Sequence, residues 1–359
     1  MKEFICRTRV VQGRGALEAL KELKARRLLL VSDPFFAKNG WANRVAETSG
    51  AENWEIFSDV KPDPDLELVA RGTARLLEFS PDAVVALGGG SAMDCAKAMV
   101  YFSDRDIPYV AIPTTSGSGS EVTDFAILTH KGIKHPLVDS KLRPQMAILE
   151  EELLTELPPA LIADSGFDVL AHALEAWVAR QGNPMTEALA CDAFRRVFSL
   201  LPESYAGDKS VRLEIHTAST MAGLAFTQAG LGACHALSHA LGGQFHVPHG
   251  RLNAILLPAV VAQNAQTAGA CYAKLSRLAG LGGTSDTMAL RSLKNGLVRL
   301  RSRLELPGSL AAAGVEPGAL AEKTEEIVAA ALRDPCCNTN PVPVTADFLR
   351  EILREVTRG

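Results

Sequence analysis

The stretch AVVALGGGSAMDCAK, which spans Ala83–Lys97, decides the fold class of this chain. A run of small and β-branched apolar residues ends in Gly88, Gly89 and Gly90, and a helix-forming segment follows at once. That order is typical of a buried strand that turns tightly into a helix within a βαβ unit. The free N–H groups at the start of such a helix suit a phosphate, with Ser91 as an added donor. The pattern is neither GxGxxG nor a Walker A loop, so a capped turn without a ligand stays open as an interpretation.

A second turn rich in glycine and serine, Pro113–Glu121, follows the predicted strand Tyr109–Ile112. We expect both turns at the carboxyl ends of neighbouring parallel strands, where open sheets bind ligands. Asp33 ends an earlier strand, and its carboxylate would accept hydrogen bonds from an adenosine ribose and repel a 2′-phosphate, which favours NAD over NADP. A helix N-cap ahead of Pro34 explains Asp33 equally well.

Strand patterns and helix patterns divide the chain into two halves. The predicted strands are Leu28–Ser32, Trp54–Ser58, Ala83–Leu87, Tyr109–Ile112, Phe125–Thr129 and Met146–Leu149. After Pro158 and Pro159 the strand patterns stop, and the segments with helical spacing include Leu161–Arg180, Met185–Leu201, Val211–Ala225 and Thr345–Arg358. We therefore predict an α/β, Rossmann-like dinucleotide-binding domain with a mostly parallel sheet over residues 1–159. An all-α domain for metal and substrate follows over residues 160–359.

Composition excludes several classes of protein. The chain has 359 residues, 47% of them hydrophobic, which is a globular composition with material for two domains. A formal charge of −4 without a basic run excludes nucleic acid as an expected partner. Seven scattered cysteines indicate a reducing compartment. Because neither a signal peptide nor a membrane span is recognisable, we expect a cytoplasmic protein.

Histidines cluster in one short segment. Of the eight histidines, four lie between His235 and His249. His235 and His239 are four residues apart, which places both imidazoles on one face of a helix. His249 lies in a Pro-His-Gly turn that can bring its ring back towards that helix. Three imidazole nitrogens are therefore expected to converge.

The same spacing occurs upstream, where Asp168 and His172 lie on an otherwise apolar helix. A buried aspartate needs a cation or hydrogen-bond donors. Asp168, His172, His235 and His249 would offer one oxygen and three nitrogens, a set suited to Fe(II) or Zn(II) with positions left for a substrate oxygen. Core histidines bonded to backbone carbonyls are the alternative. His239 would remain to face the cofactor and relay a proton, with His246 as the competing candidate for that role.

At this point the sequence resembles the iron-dependent (type III) alcohol dehydrogenase family. The resemblance is carried by GGGSAMDCAK at Gly88–Lys97, PTTSGSGSEVT at Pro113–Thr123, GFDVLAHALEAWV at Gly166–Val178 and HALSHALGGQFHVPHGRLNAILLP at His235–Pro258. Within the family the chain is most similar to the propanol dehydrogenases of propanediol-utilisation microcompartments, judged by HALEAWV, by GGQFHVPHG and by the segment Asn338–Pro341.

The resemblance implies a homodimer with NAD(P) and a divalent metal, for which we expect Fe(II) with Zn(II) as the alternative, and assigns the same four metal ligands. It implies cofactor contacts at Asp33, Gly89, Gly90, Ser91, Asp94, Thr114, Thr115, Ser118 and Lys134. It also implies a histidine beside the nicotinamide at His239, and a substrate pocket near Phe226 and the Cys336–Cys337 pair. Two residues depart from the family pattern: Glu150 replaces a common aspartate, and Arg251 stands where a small or apolar residue is usual, so that Arg251 is expected to alter the charge of the pocket.

We therefore predict a metal-dependent, NAD(H)-linked alcohol dehydrogenase that interconverts short-chain primary alcohols and aldehydes, such as propanal and 1-propanol, by hydride transfer. Three alternatives stay open: an enzyme of the glycerol dehydrogenase or dehydroquinate synthase type, a metal-dependent hydrolase, and a docking role inside a microcompartment. The last would use an amphipathic helix at Ala16–Leu23, which we interpret instead as an ordinary helix of the first domain.

Overall fold

The structure, a computed structural model, describes residues 2–130 and 133–358, apart from the side chains of Ile133, Lys134 and Arg358. The chain folds into two compact units. One is Ile5–Leu157, and the other is Pro158–Gly359 together with Met1–Phe4.

The start of the chain joins the helical unit through two hydrogen bonds. The Nζ of Lys2 donates to the backbone oxygen of Gly182. One residue further, Asn183 Nδ2 donates to the backbone oxygen of Glu3 over 3.3 Å. The sequence prediction places residues 1–159 in the α/β domain, whereas the contacts of the structure group the first residues with the helical unit.

In the described part of the α/β unit, eight strands form the sheets: β1 (Arg9–Gly13), β2 (Arg27–Ser32), β3 (Asn53–Phe57), β4 (Ala83–Gly88), β5 (Tyr109–Pro113), β6 (Phe125–His130), β7 (Ile133–Val138) and β8 (Met146–Glu150). Six of them form a parallel sheet in the order β1-β8-β5-β4-β2-β3. The strand order reverses between β2 and β4, because β3 follows β2 on one side whereas β4 and β5 lie on the other. Such a switch point is where open parallel sheets form a ligand crevice.

Four α-helices accompany these strands: α1 (Pro34–Lys38), α2 (Trp41–Ser49), α3 (Leu66–Phe79) and α4 (Gly90–Phe102). The 3-10 segments are Ala16–Leu23, Ser120–Val122, Ser140–Leu142 and Glu151–Leu154.

Both faces of the parallel sheet are buried. Along β2, Leu28 and Leu30 belong to one hydrophobic cluster, whereas Leu29 and Val31 belong to another. The alternation follows from the two-residue period of a strand. Helices α3 and α4 cover one face, and α2 with the 3-10 segment Ala16–Leu23 covers the other. Strands buried on both sides explain why the sequence shows continuous apolar runs here.

Over the residues that the structure describes, the second unit has eight α-helices: α5 (Pro159–Val178), α6 (Pro184–Tyr205), α7 (Arg212–Ala229), α8 (Ala233–Phe245), α9 (His249–Leu278), α10 (Asp286–Arg303), α11 (Pro317–Arg333) and α12 (Ala346–Arg358). A 3-10 helix, Pro335–Thr339, connects α11 to the last segment. Helix α5 packs against α6, α7 and α9, and every residue from Gly166 to Val178 is buried. It is the central helix of the unit.

The predicted fold class is confirmed, with three corrections in detail. Phe125–Thr129 is a strand, but it pairs with β7 in a separate antiparallel hairpin instead of joining the parallel sheet. The edge strand β1 was not predicted, because a five-residue run with Arg9 and Gln12 lacks a continuous apolar pattern. Ala16–Leu23 is a 3-10 helix, a form whose apolar spacing resembles that of an α-helix over so short a length.

Two other observations bear on the expected environment of the chain. Among the described residues, no helix combines the length and the apolar character that crossing a membrane requires. All seven cysteines are free thiols.

Candidate metal centre and nucleotide site

Helix α5 supplies the first two candidate ligands. Pro158 is its N-cap and Pro159 its first residue, a position where a missing N–H costs nothing. Asp168 and His172 follow one turn apart on the same face, and their relative exposures are only 8% and 5%. The apolar residues on either side place both polar side chains in the interior of the helical unit.

Helices α8 and α9 supply the other candidates. His235 lies in the first turn of α8 and is 1% exposed, and His239 follows one turn later, half-buried. Helix α9 begins at His249, with Pro248 as its N-cap. The loop between the two helices therefore returns the His249 ring to the side of α8, as the Pro-His-Gly turn predicted.

Three imidazoles converge on one carboxylate oxygen. The Oδ1 of Asp168 lies 3.4 Å from His249 Nε2, 3.6 Å from His235 Nε2 and 3.9 Å from His172 Nε2. The ligand atoms of Asp168, His235 and His249 all lie within 4.8 Å of one another. Two ligands about 2.1 Å from one tetrahedral ion are roughly 3.4 Å apart. The spacing of these atoms is therefore close to that of a divalent metal centre.

A second carboxylate fixes the orientation of His235. Glu175 Oε2 lies 2.6 Å from His235 Nδ1, and the backbone N–H groups of Gly232 and Cys234 donate to the same carboxylate over 2.9 and 2.7 Å. Because an ionised carboxylate only accepts, Nδ1 of His235 is the donor, and Nε2 faces Asp168. A carboxylate behind a metal-binding histidine is a common arrangement that holds its tautomer.

An asparagine ties the two sides of the cluster together. Asn253 Nδ2 donates to Asp168 Oδ1 over 2.8 Å and lies 3.3 Å from His249 Nε2. Its Oδ1 accepts a hydrogen bond from Ser238 Oγ. Asn253 is fully buried on α9, one turn after His249, so it connects all three ligand helices.

The charges of this cluster favour a cation. Burial alone would raise the pKa of Asp168, but the imidazoles of His172, His249 and His235 hold it well below its usual range. Burial opposes a charge on His235 as well, yet Glu175 and Asp168 raise the pKa of that imidazole to about 9. Two buried carboxylates, Asp168 and Glu175, therefore lie beside imidazole nitrogens that could bind a divalent cation. The donor set, one oxygen and three nitrogens, fits Fe(II) or Zn(II).

Phe226, predicted to line a substrate pocket, packs directly on a candidate metal ligand. Its ring stacks on the His172 ring at 4.3 Å between centroids and 19° between planes, and the His172 ring in turn stacks on that of His235 at 4.5 Å. Phe226 is 3% exposed. In the structure it therefore holds His172 in place.

Arg251, expected to alter the charge of the pocket, is paired with a neighbouring helix. Its Nη2 and Nε donate to the two carboxylate oxygens of Asp164 over 3.0 and 3.2 Å. At the same place, a Cβ on Gly250 would lie 1.9 Å from the backbone oxygen of Asp164. Helices α5 and α9 therefore meet at van der Waals contact, and a bidentate ion pair joins them next to His249.

His239 has a carboxylate partner of its own. Its Nδ1 lies 2.7 Å from Asp334 Oδ2, and its ring stacks on the His249 ring at 5.1 Å between centroids. The ligand atoms of His239, Asp334 and Cys336 also lie within 4.8 Å of one another. His246, the competing candidate, caps the end of α8 and is exposed.

In the α/β unit, Asp33 has the capping role that the sequence left open, and its second carboxylate oxygen faces the glycine turn. It is the N-cap of α1, and its Oδ1 accepts from the backbone N–H groups of Phe35 and Phe36 over 2.8 and 3.2 Å. Its Oδ2 faces the glycine turn, 3.4 Å from where a Cβ of Gly88 would lie. Asp33 directly follows β2 and Gly88 is the last residue of β4, so the two flank the switch point of the sheet.

The two glycine-containing turns lie side by side. A Cβ on Gly89 would lie 3.3 Å from Thr115 Oγ1, and one on Gly90 would lie 3.2 Å from Ser118 Oγ. The backbone N–H of Thr114, in the second turn, donates to the backbone oxygen of Gly88, in the first, over 3.0 Å. Both turns follow the carboxyl ends of β4 and β5, and Ser91 lies in the first turn of α4. This is a suitable cradle for a pyrophosphate.

Two of the predicted cofactor residues stand apart. Asp94 braces the unit internally, because its Oδ1 accepts from Ser120 Oγ over 2.7 Å and its Oδ2 from the N–H of Ile127 over 3.1 Å. The side chain of Lys134 lies outside the described residues.

Three residues of the cluster were not identified from sequence. Asn253 carries a signal in retrospect, since it lies four residues after His249 on the same helix face. Glu175 lies 60 residues from its partner His235, and Asp334 lies 95 residues from His239. Residues so far apart along the chain form no local spacing pattern, so a single sequence cannot show that they are partners.

Comparisons with known proteins agree with this geometry. The profile described as "Iron-containing alcohol dehydrogenase" matches residues 7–151, and that described as "Fe-containing alcohol dehydrogenase family, C-terminal" matches residues 162–357. The chain is 41% identical over 369 residues to the 1-propanol dehydrogenase PduQ of Citrobacter freundii, covering 99% of this chain and 100% of that protein. It is 35% identical over 384 residues to the NADPH-dependent butanol dehydrogenase of Clostridium saccharobutylicum, covering 100% and 99%.

A solved structure, the iron-containing alcohol dehydrogenase from Thermococcus thioreducens, superimposes with a TM-score of 0.91 at 31% identity and covers 99% of this chain and 100% of that one. The two profiles together span almost all of the sequence, and the relatives match it from end to end. The chain belongs to the iron-containing alcohol dehydrogenase family.

Proposed function

We propose that this alcohol dehydrogenase interconverts short-chain primary alcohols and aldehydes, with propanal and 1-propanol as representative substrates. It would use NAD(H) and one divalent metal, Fe(II) in preference to Zn(II). The observation that carries the proposal is the convergence of three imidazole Nε2 atoms on Asp168 Oδ1 at 3.4 to 3.9 Å. The similarity to a 1-propanol dehydrogenase supports the choice of substrate.

Asp168, His172, His235 and His249 would hold the metal. When bound, the cation supplies a Lewis acid that polarises the carbonyl group and stabilises negative charge on its oxygen. The protein keeps these side chains ready for it: Glu175 orients His235, Asn253 orients Asp168, and the Phe226 ring packs on His172. Such support reduces the reorganisation that metal binding would otherwise require.

When bound at the turns after β4 and β5, NADH would supply the hydride that reduces the carbonyl carbon of the aldehyde, and one proton would be added to the carbonyl oxygen. The products are NAD⁺ and the alcohol, so that atoms and charge balance. We assign His239 to the proton transfer, because its half-buried ring stacks on His249 and it is not one of the four ligands. The exposed His246 is less suited to this role.

The nucleotide would bind at the carboxyl ends of β2, β4 and β5. The backbone of Gly89, Gly90 and Ser91 would hold the pyrophosphate, with Thr114, Thr115, Ser118 and Lys134 as the further contacts that the family resemblance implies. Asp94, which the resemblance also assigns to the cofactor, would instead support this turn from within the unit, because both of its carboxylate oxygens accept internal hydrogen bonds. Asp33 would accept from the adenosine ribose, which favours NAD over NADP. Since one relative is named as NADPH-dependent, this preference is a property to be measured on this chain.

We also propose a homodimer, and packaging in a propanediol-utilisation microcompartment, from the resemblance of HALEAWV and GGQFHVPHG to propanol dehydrogenases of those compartments. Light scattering of the purified protein tests the first. Co-purification with intact shells in a host that makes them tests the second.

The experiment that tests the function is anaerobic NADH oxidation with a panel of short aldehydes, by apo-protein refilled with Fe(II), Zn(II) or Mn(II). We expect propanal turnover that depends on metal and follows one ion per chain. His235→Ala should lose metal and turnover together while the exposed-residue control His246→Ala keeps both. Equal turnover by apo-protein and refilled protein, or metal-dependent ester hydrolysis without NADH binding, would overturn the proposal.

A further inference from the structure

The pair of His239 and Asp334 is the strongest feature that the metal centre does not use. The two side chains are 23% and 15% exposed, and His239 Nδ1 lies 2.7 Å from Asp334 Oδ2. His239 lies on α8, whereas Asp334 lies between α11 and the 3-10 helix Pro335–Thr339. The chain thus brings two distant segments together to form one partly buried hydrogen bond.

Asp334 is itself held rigidly. It is the N-cap of the 3-10 helix, and its Oδ1 accepts from the backbone N–H of Cys336 over 2.8 Å. Its own N–H donates to the backbone oxygen of Ala331 over 3.1 Å. One carboxylate oxygen is therefore committed to the cap, and the other is directed at His239.

The charge of Asp334 determines what His239 can do. Burial alone would raise the pKa of Asp334, but its hydrogen bond with His239 and the attraction of that imidazole hold it well below its usual range. An ionised carboxylate only accepts, so Nδ1 of His239 carries the hydrogen. Nε2 is then the atom that accepts or delivers a proton.

We propose that Asp334 is a positioning residue for proton transfer by His239: it holds the ring in one orientation and in the Nδ1–H tautomer. The inference rests on the proposed function, in which His239 moves the proton of the alcohol. The stacking of the His239 ring on the His249 ring fixes the plane of the His239 ring. The hydrogen bond to Asp334 then fixes the rotation within that plane, with Nδ1 towards Asp334 and Nε2 on the opposite edge. Aspartates in catalytic triads act on histidine in the same manner.

The test is a double-mutant cycle of Asp334→Asn and His239→Ala, with kcat and KM for propanal and the metal content measured for each protein. An asparagine keeps an oxygen for the cap at Cys336 but can present an amide N–H₂ to Nδ1, which favours the wrong tautomer. We expect kcat of Asp334→Asn to fall by about 10² to 10³, within the range of about 10² to 10⁴ that general acid–base catalysis contributes. KM and metal content should change less than threefold, and Asp334→Asn should add nothing in the His239→Ala background.

Glu316→Gln is the matched control. Glu316 also caps a helix of this unit, because its carboxylate accepts a hydrogen bond from the backbone N–H of Ala319, but it has no histidine partner among the described residues. It should keep kcat within twofold. As a readout independent of turnover, ¹⁵N spectra of the zinc-loaded protein should show His239 protonated at Nδ1 in the wild type and at Nε2 in Asp334→Asn.

A loss in Asp334→Asn that persists in full in the His239→Ala background, or an unchanged tautomer, would overturn the positioning role while leaving an active wild type and the proposed function intact. A kcat of His239→Ala equal to that of the wild type would overturn it too. Absence of NADH-dependent turnover in the metal-loaded wild type would instead remove the proposed function, and the positioning role with it.

Discussion

The Nδ1 atom of His235 lies 2.6 Å from Oε2 of Glu175, a carboxylate that is 3% exposed and also accepts two backbone N–H groups at the start of α8. One buried side chain therefore caps a helix and orients a candidate metal ligand. Asp168 and Glu175 lie on the same helix, so α5 supplies one candidate ligand and orients another.

We predict that Glu175→Gln weakens metal retention by about 10- to 100-fold, the usual cost of losing a partner behind a metal-binding histidine. The amide has only one oxygen for three donors. The measurement is the rate of metal loss to a chelator, followed by metal analysis. Glu325→Gln, which removes an exposed partner of Arg350, is the control. Retention equal to that of the wild type would show that Glu175 is only a helix cap.

The ion pair of Arg251 and Asp164 should also act on the metal. It joins α5 and α9 beside His249, where Gly250 meets the backbone of Asp164. We expect Arg251→Ala to accelerate metal loss several-fold, with Arg251→Lys intermediate, because lysine lacks the bidentate fork. Arg196→Ala, which breaks an exposed pair with Glu214, should leave the rate unchanged. If Arg251→Ala instead keeps the wild-type rate and changes only KM for the aldehyde, the pair serves the substrate.

Asp33 should set the preference between dinucleotides. Replacing it with serine keeps an N-cap for α1 but removes the negative charge. We expect the ratio of kcat/KM for NADH to that for NADPH to fall by about tenfold or more, because the repulsion of a 2′-phosphate is lost. Asp65→Ser makes the same change at the N-cap of α3 and should leave the ratio unaltered. An unchanged ratio in Asp33→Ser would leave Asp33 with its capping role alone.

Lys97 should stabilise the α/β unit. It is 1% exposed, and its Nζ donates to Ser120 Oγ, to Phe125 O and to both oxygens of Thr123 over 2.8 to 3.1 Å. Lys97→Met leaves those acceptors buried without their donor, so we expect a loss of about 2 to 4 kcal/mol in the free energy of unfolding. Urea unfolding measures it. A loss below about 0.5 kcal/mol would mean that water replaces the ammonium group.

The same residue predicts a dependence of stability on pH. Burial lowers the pKa of Lys97 to about 8, against an ordinary value of 10.5. Between those values the unfolded chain binds the proton and the folded chain does not, so raising the pH favours the folded state. The stability of the wild type relative to Lys97→Met should therefore increase from pH 8 to pH 10. A constant or decreasing difference would contradict the lowered pKa.

Local patterns account for what was predictable from sequence. The run Ala83–Lys97 gave the strand, the turn and the helix correctly, because its apolar residues and glycines act within one βαβ unit. The spacing of Asp168 and His172 likewise requires only one helix.

Interactions between distant segments account for the remainder. The partners Glu175 and Asp334 contact their histidines only because α5 and the segment after α11 pack beside α8. The pairing of Arg251 with Asp164, in place of the pocket charge expected for Arg251, has the same origin. Strand β6 pairs with β7 as a hairpin, although its apolar residues fit a parallel sheet equally well.

An anomalous difference map at the iron absorption edge, from crystals of the protein refilled with Fe(II) under anaerobic conditions, shows directly whether the proposed ligands bind the metal. We expect a single strong peak per chain, about 2.0 to 2.2 Å from a carboxylate oxygen of Asp168 and from the Nε2 atoms of His172, His235 and His249. A peak elsewhere, or none at these four side chains in protein that turns over propanal, would contradict this assignment.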